Sequence, residues 1–512
     1  MSEYGEDHVP LLADDTAGSL RSANVSRCVG FGGIPVTFYC IALYLLTETF
    51  DFIIIAPMTA LFEGVICQQY YTDNRAAVAG ATWDCKASPI QRELAVLRGW
   101  KRFFDALPVF LVALPLGSLS DRHGRKIVLA SSILGVLFGF AWIMIVCTSS
   151  NKIVRFAFLL RLTSCSGHFP SVFPIRLVWL SSTMYLFGGG LFQANASVML
   201  IAAESSSDKS RSRVMYYIYS SYLVTELIAP SIAAVAIEKS LWIAFGTGIA
   251  SLVLCFSIIP LLPNTRQLER SSVNTASLLQ TAGYDNGPST NDSSASIGNS
   301  QTGSLPVQSH LLSLFKRRNI LLTVPIFIIG VFRPPTLNLL LQYTSIRFGW
   351  SFSNAALLTS EVAGVGVVLF LVVLPQAIIL LQERCGYHPQ VIDLSILRTS
   401  LALLCIRATM IGLASSSSSL IASGFGCRMS VVALSMSWLD GDLRARFFGA
   451  IQVLENVGLL ISDPIMQNMF AVALRLSDAW LALPFFFASG IYLLATIAAF
   501  FIHFKIEDQP LS

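Results

Sequence analysis

The sequence predicts an all-α integral membrane protein with twelve transmembrane helices arranged as two six-helix bundles. Three observations predict it. The chain is 54% hydrophobic and 12% charged, about half the charge of an average soluble domain, and its mean hydropathy is +0.65. Apolar runs of about 20 residues recur along it, each long enough to cross a hydrocarbon core of roughly 30 Å. The runs are continuous and lack strict alternation, so they are helices, which satisfy their own backbone in lipid, and not lipid-facing strands.

Residues 1–33 read as a polar cytoplasmic tail. The first apolar run is a full span and not the short core of a cleavable signal peptide. Spans are predicted near 35–57, 103–121, 127–147, 177–201, 214–236 and 240–262, making residues 34–262 the first bundle. Residues 263–318, rich in Ser, Asn, Thr, Gly and Gln, cannot repay ordering entropy and read as a disordered cytoplasmic linker. The second bundle, residues 319–505, has spans near 320–342, 355–381, 392–413, 417–438, 447–470 and 480–504, and residues 506–512 form a tail. Six spans, a linker and six spans is the arrangement of two repeats, although the turn at 383–390 only faintly echoes residues 117–126.

Cations set the orientation. With a cytoplasmic N-terminus, Arg122, Arg125, Lys126, Lys209, Arg211, Arg213, Lys316, Arg317, Arg318, Arg444 and Arg446 all lie in cytoplasmic segments, as the positive-inside rule expects. Arg92, Arg98, Lys101 and Arg102, read as part of an outer loop at 58–102, run against it. The run Asp7–Leu12 fits an acidic dileucine sorting pattern, so the expected location is the plasma membrane with the vacuolar membrane as alternative.

No G-x-x-x-x-G-K-[ST] loop, H-E-x-x-H or G-x-S-x-G motif is present, so neither a nucleotide-driven pump nor an enzyme is expected. The ten cysteines show no metal-ligand spacing. Cys67 and Cys85, in the outer loop, are candidates for a disulfide closing an 18-residue step. No cofactor, metal or nucleic acid is expected. The expected partners are the lipid bilayer, a small organic substrate and protons, bound by a monomer.

The loop 117–126 reads Gly-Ser-Leu-Ser-Asp-Arg-His-Gly-Arg-Lys. It resembles the signature G-x-L-[SA]-D-R-x-G-R-K between helices 2 and 3 of the major facilitator superfamily, and the match runs over about residues 33–505. The resemblance implies the major facilitator fold and a latch at the cytoplasmic face. There Asp121, docked near the start of span 11, works with Gly117, Arg122, Gly124, Arg125 and Lys126 to govern conformational switching. The alternative is that these cations only set topology. Locally, Asp121 is read as ending span 2, with both glycines allowing tight approach and turning. The Glu63…Cys67…Tyr70-Tyr71…Cys85-Lys86 loop and the stretch Phe173–Ser182 resemble fungal members, themselves distantly similar to proton-coupled folate transporters.

Ionisable residues inside spans are costly and mark transport pathways. Glu48 and Asp51 share a face of span 1, Glu226 lies at the middle of span 5, and Arg333, Glu361, Arg428 and Glu455 lie in spans 7, 8, 10 and 11. Hydrocarbon disfavours the charged form of a carboxylate, which makes these acids the candidates for carrying protons. The alternative is that Arg333 or Arg428 simply ties to Glu361 or Glu455. Gln193, Asn195, Asn338, Gln342 and Asn456 are weaker solute contacts, and Tyr216, Tyr217, Tyr219 and Tyr222 either line a cavity or form an interfacial belt. Gly188–Gly190 are expected to let span 4 approach a neighbour, and Pro334-Pro335 to break span 7 beside Arg333.

Three departures bear on mechanism. The arginine that the family often keeps ahead of the span 4 glycines is replaced by the zone around Tyr185, span 5 has Pro230 without the antiporter glycines, and residues 148–176 form a long outer loop. The expected function is proton-driven efflux of a small organic compound such as a metabolite or drug. The alternative is proton-coupled uptake or vacuolar transport.

Overall fold

The computed structural model describes residues 35–73, 83–150, 175–206, 208–262, 331–384, 389–423, 441–476 and 478–501. The regular structure among them is helical. The first half comprises α1 (Val36–Asp73), α2 (Ser88–His123), α3 (Arg125–Ser150), a 3₁₀ segment (Ile175–Phe187) leading into α4 (Gly190–Ser205), α5 (Asp208–Lys239) and α6 (Leu241–Ile258). The second comprises α7 (Arg333–Arg347), α8 (Phe352–Val368), continued through a π turn (Leu369–Val373) into α9 (Leu374–Glu383), α10 (Pro389–Leu413), α11 (Ser417–Ser423), α12 (Gly441–Ala473) and α13 (Leu483–Phe500).

Among the described residues, eight helical stretches are long and apolar enough to cross a membrane. Large apolar side chains stand exposed on their flanks, including Phe38, Leu254, Leu413 and Leu494. A soluble monomer rarely carries so much exposed apolar surface; in a bilayer it faces lipid. The first part of predicted span 7 and most of predicted span 10 lie outside the described residues, as do the 263–318 linker, the Asp7–Leu12 pattern and most of the 148–176 loop.

Each half has its own core. Leu43 and Phe50 of α1, Ile133 and Phe140 of α3, Val198 of α4, Ile218 of α5 and Phe245 and Leu252 of α6 pack into one cluster. Tyr343 of α7, Ala408 of α10, Phe470 of α12 and Phe485 and Tyr492 of α13 form another. The halves meet where α2 packs on α12 and α5 packs on α8.

Four expectations are corrected. Most of the supposed outer loop 58–102 is helix, because α1 runs on to Asp73 and α2 begins at Ser88. Apolar side chains drive this: Phe62, Val65 and Ile66 pack against Ile90, Leu94 and Leu97, and against Val178 of the 3₁₀ segment. Span 2 ends not at Asp121 but at Gly124, whose φ of +93° suits glycine. Gly117 lies in a helix with nothing within 4 Å of the place a Cβ would take, so no close approach requires it here. Span 4 is not one helix. Gly189 and Gly190 take φ of +78° and +65° and separate the 3₁₀ segment from α4, while a Cβ on Gly188 would stand 2.4 Å from the backbone of Ser131 and Ser132 in α3.

Candidate functional site

A cavity of about 280 Å³ lies between the halves and takes its walls from α1, α2, α4, α5, α7, α8 and α12. Its polar lining includes Glu48, Asp51, Arg102, Asp105, Asn195, Glu226, Arg333 and Asp463. Charges at this depth persist only where they are paired or face water, and here they form three groups.

The first group centres on Arg102 of α2, whose charged neighbours are Asp51 of α1, Asp463 of α12 and Asp105 one turn along α2. Lys101 is ion-paired with Asp105 and stands 5.7 Å from the centre of the Tyr185 ring. Ser182 donates to Asp105 Oδ1 at 2.6 Å. Arg98, one turn before Arg102, has Asp463 as its carboxylate neighbour and donates to the Asn338 carbonyl at 3.1 Å. Three cations and three carboxylates from both halves thus neutralise one another.

The second group spans the halves near the middle of the bundle. Arg333 Nη2 donates to Glu226 Oε1 at 2.8 Å, with both side chains largely buried. Arg333 opens α7, with Pro334 and Pro335 in the first turn, where missing N–H groups cost nothing. Pro230 removes the helical donor that would otherwise meet the Glu226 carbonyl. Arg407 of α10 lies close enough to Arg333 and Glu226 to feel both charges.

Glu48 forms the third group. Asn195 Nδ2 donates to Glu48 Oε1 at 2.7 Å, and Thr47 donates to Asn195 Oδ1 at 2.7 Å. The Tyr44 hydroxyl also bonds Glu48.

The end of the cavity near residues 83–88 is closed by polar ties between halves. Cys67 and Cys85 are joined in a disulfide with Cα atoms 5.2 Å apart. The next residue, Lys86, pairs with Glu63 at 2.7 Å and donates to Ser345 Oγ at 2.5 Å. Gln342 donates to the Gln91 carbonyl at 2.8 Å, Ser88 to the Leu474 carbonyl at 2.5 Å, and Ser353 to Glu238 Oε1 at 3.0 Å. Toward the 117–126 end, the ties of Arg125 and Lys126 stay within the first half. There Arg125 forks onto Glu204 of α4, its Nε donating to Oε2 at 2.7 Å, and Lys126 reaches the Pro260 carbonyl at 3.4 Å. The Asp121 side chain and those of the first turns of α12 lie outside the description.

Of the predicted site residues, Glu48, Asp51, Glu226 and Arg333 share the cavity. Glu361 is not among its lining residues, Arg428 lies outside the described residues, and Glu455 is described only as backbone of α12. Arg333 pairs with Glu226, not with Glu361 or Glu455. Tyr222 lines the cavity and stacks on Tyr219, whereas Tyr216 and Tyr217 are exposed. Sequence reading missed Arg98, Lys101, Arg102, Asp105, Arg407 and Asp463. Arg407 and Asp463 each stand inside a predicted span, so a scan for every charge within an apolar window finds them. The α2 cations were hidden by starting that span at residue 103.

Residues 103–380 match the sequence profile of the Major Facilitator Superfamily. The chain belongs to that superfamily. Its relatives include the MFS efflux pump atnC of Emericella nidulans, 26% identical with 99% of this chain and 94% of the relative covered. The efflux pump ustT of Aspergillus flavus is 26% identical over 85% of this chain and 81% of its own length. Among solved structures, a bacterial homologue of the iron transporter ferroportin superposes with a TM-score of 0.56 at 12% identity, covering 91% of this chain and 98% of the other. The xylose transporter XylE from E. coli gives 0.53 at 14% identity, covering 90% and 97%. At such identities the likeness shows the fold, which is that of a multi-pass membrane transporter.

Proposed function

We propose that the protein is a secondary active exporter of a small organic compound, working by alternating access and driven by proton exchange. The observation that carries the reading is that carboxylates from both halves, Asp51, Asp105 and Glu226 from the first and Asp463 from the second, face one cavity beside arginines. Protonating a carboxylate there frees its cation for another anion and changes the tie between halves. The names of atnC and ustT, matched over most of their lengths, favour export over uptake.

With a cytoplasmic N-terminus, residues 83–88 lie outside, and the described state is closed toward the outside. The loop residues Gly117, Asp121, Arg122, Gly124, Arg125 and Lys126 are read as one half of a cytoplasmic latch, in which Arg125 pairs with Glu204. Closing it toward α12 would accompany opening to the outside. The plasma membrane is the expected site of action.

The test compares cells and medium of a deletion strain and its parent by small-molecule mass spectrometry. A compound retained by the mutant and lost from the medium supports export and identifies the cargo; one left unconsumed in the medium makes the protein an importer. Vesicle flux of that compound should then lose its dependence on an imposed pH gradient in Glu226→Gln or Asp463→Asn, with Asp51→Asn and Asp105→Asn measured beside them. If all four retain it, proton exchange is wrong.

A further inference from the structure

The central cavity has a side pocket of about 20 Å³ lined by Arg333, Thr336, Arg407 and Tyr492. The two spaces share Arg333 and Leu337. Arg407 is 6% exposed, yet among the described residues its Nε and Nη2 have no hydrogen-bond partner, and neither has Arg333 Nε. A buried guanidinium with idle donors is costly, because it has lost water and gained nothing in return. Among the described side chains, Glu226 is the carboxylate that neighbours both arginines, so the group carries one surplus positive charge. Tyr492 and Thr336, hydrogen-bonded to each other, complete the polar lining.

We propose that this pocket binds the anionic head of the transported compound, and that the substrate class is therefore small organic acids. This rests on the transporter reading above and adds to it the chemistry of the cargo. The pocket has room for roughly one or two non-hydrogen atoms, which suits a carboxylate oxygen and not a whole solute. The body of the molecule then extends past Leu337 into the larger cavity, whose lining is mostly apolar, as is usual for such sites. Arginine is the side chain best matched to a carboxylate, since its planar fork offers two parallel N–H groups.

The test measures binding of benzoate, 3-phenylpropionate and 4-phenylbutyrate to the purified full-length protein by calorimetry and thermal shift. Each acid is compared with its primary amide, which has nearly the same shape without the charge. The acids should bind at least about tenfold more tightly than the amides. Arg407→Gln should erase that preference, and Arg407→Lys, which keeps charge but loses the fork, should reduce it. Ligand-free Arg407→Gln should melt no lower than wild type, because it removes an unsatisfied buried charge. The proposal is overturned if no acid outbinds its amide in the wild type, if the preference survives Arg407→Gln, or if the ligand-free variant melts clearly lower, which would make Arg407 a structural tie. These readouts need no flux, so a protein that exports only neutral compounds refutes the anion site alone, and one that exports nothing refutes the transporter reading alone.

Discussion

Replacing Lys86 with Met should shift the protein toward the state open at the end near residues 83–88. Lys86 makes two kinds of contact. Its pair with Glu63 joins residues of the same half and survives separation. Its hydrogen bond to Ser345 and its position 4.4 Å from the centre of the Phe352 ring cross between halves and are lost. A hydrogen bond to a charged group contributes about 1.5–3 kcal/mol, and a cation–π contact at an exposed site about 0.5–1 kcal/mol. The Lys86 side chain is 37% exposed, so water recovers part of both when the halves part. The net is about 1–2 kcal/mol in favour of closure, a factor of roughly 5–30 in the ratio of states.

Spin labels at Thr72 and Asn354, exposed positions near that end of α1 and α8, would report the two populations as two distances. Lys86→Met should raise the ratio of long-distance to short-distance populations by that factor. The disulfide fixes Cys85 to α1 and so aims its neighbour Lys86. Cys67→Ser with Cys85→Ser should therefore shift the populations the same way, and adding Lys86→Met should add less than its separate effect. An unchanged distance distribution in Lys86→Met would refute the part given to Lys86 in closing that end. Full additivity would refute the role given to the disulfide.

Two stability predictions accompany it. Gly188→Ala places a methyl against the α3 backbone, which cannot rotate away, and should cost about 3 kcal/mol; an unchanged melting temperature of the purified protein would contradict the packing. Glu226→Gln leaves Arg333 and Arg407 facing each other without their shared carboxylate and should destabilise by about 3–5 kcal/mol. Adding Arg333→Met should recover part of that loss, and a double variant as unstable as the sum of the singles would mean that the pair is not coupled.

The membrane fold was legible because its signal is collective: each span announces itself through about 20 apolar residues, and no single side chain decides it. Boundaries failed where that signal is weak. The first turns of α2 carry Arg92, Arg98, Lys101 and Arg102, so a hydropathy reading ends there, but the helix continues because its charges meet carboxylates and its Leu94 and Leu97 pack on α1. The site was half legible for the same reason. Glu48, Asp51, Glu226 and Arg333 stand in apolar surroundings and attract notice, whereas Arg98, Lys101 and Arg102 sit at a polar margin that reads as loop. The break in span 4 needs two consecutive glycines at positive φ, a backbone fact that composition cannot distinguish from close packing.

The positions of these charges also bear on how coupling would work. The sequence lacks the arginine often found ahead of the span 4 glycines, and Tyr185 there stands beside Lys101 and Arg102 instead. The cations thus come from α2, a helix that packs on α12 across the interface, and not from a helix confined to the first half. A proton can drive an exchange between two states only if its binding free energy differs between them. A carboxylate whose partners all lie in its own half keeps them in both states and gains little leverage. Glu226 and Asp463 differ from such a group, because each has arginine neighbours in the opposite half. Opening the end near residues 83–88 would separate Glu226 from Arg333 and Asp463 from Arg102, and a proton on either acid removes the attraction being broken. On this argument the proton signal should concentrate in Glu226 and Asp463, while Glu48, held by Tyr44, Asn195 and Thr47 of its own half, should contribute to the shape of the cavity more than to the driving force.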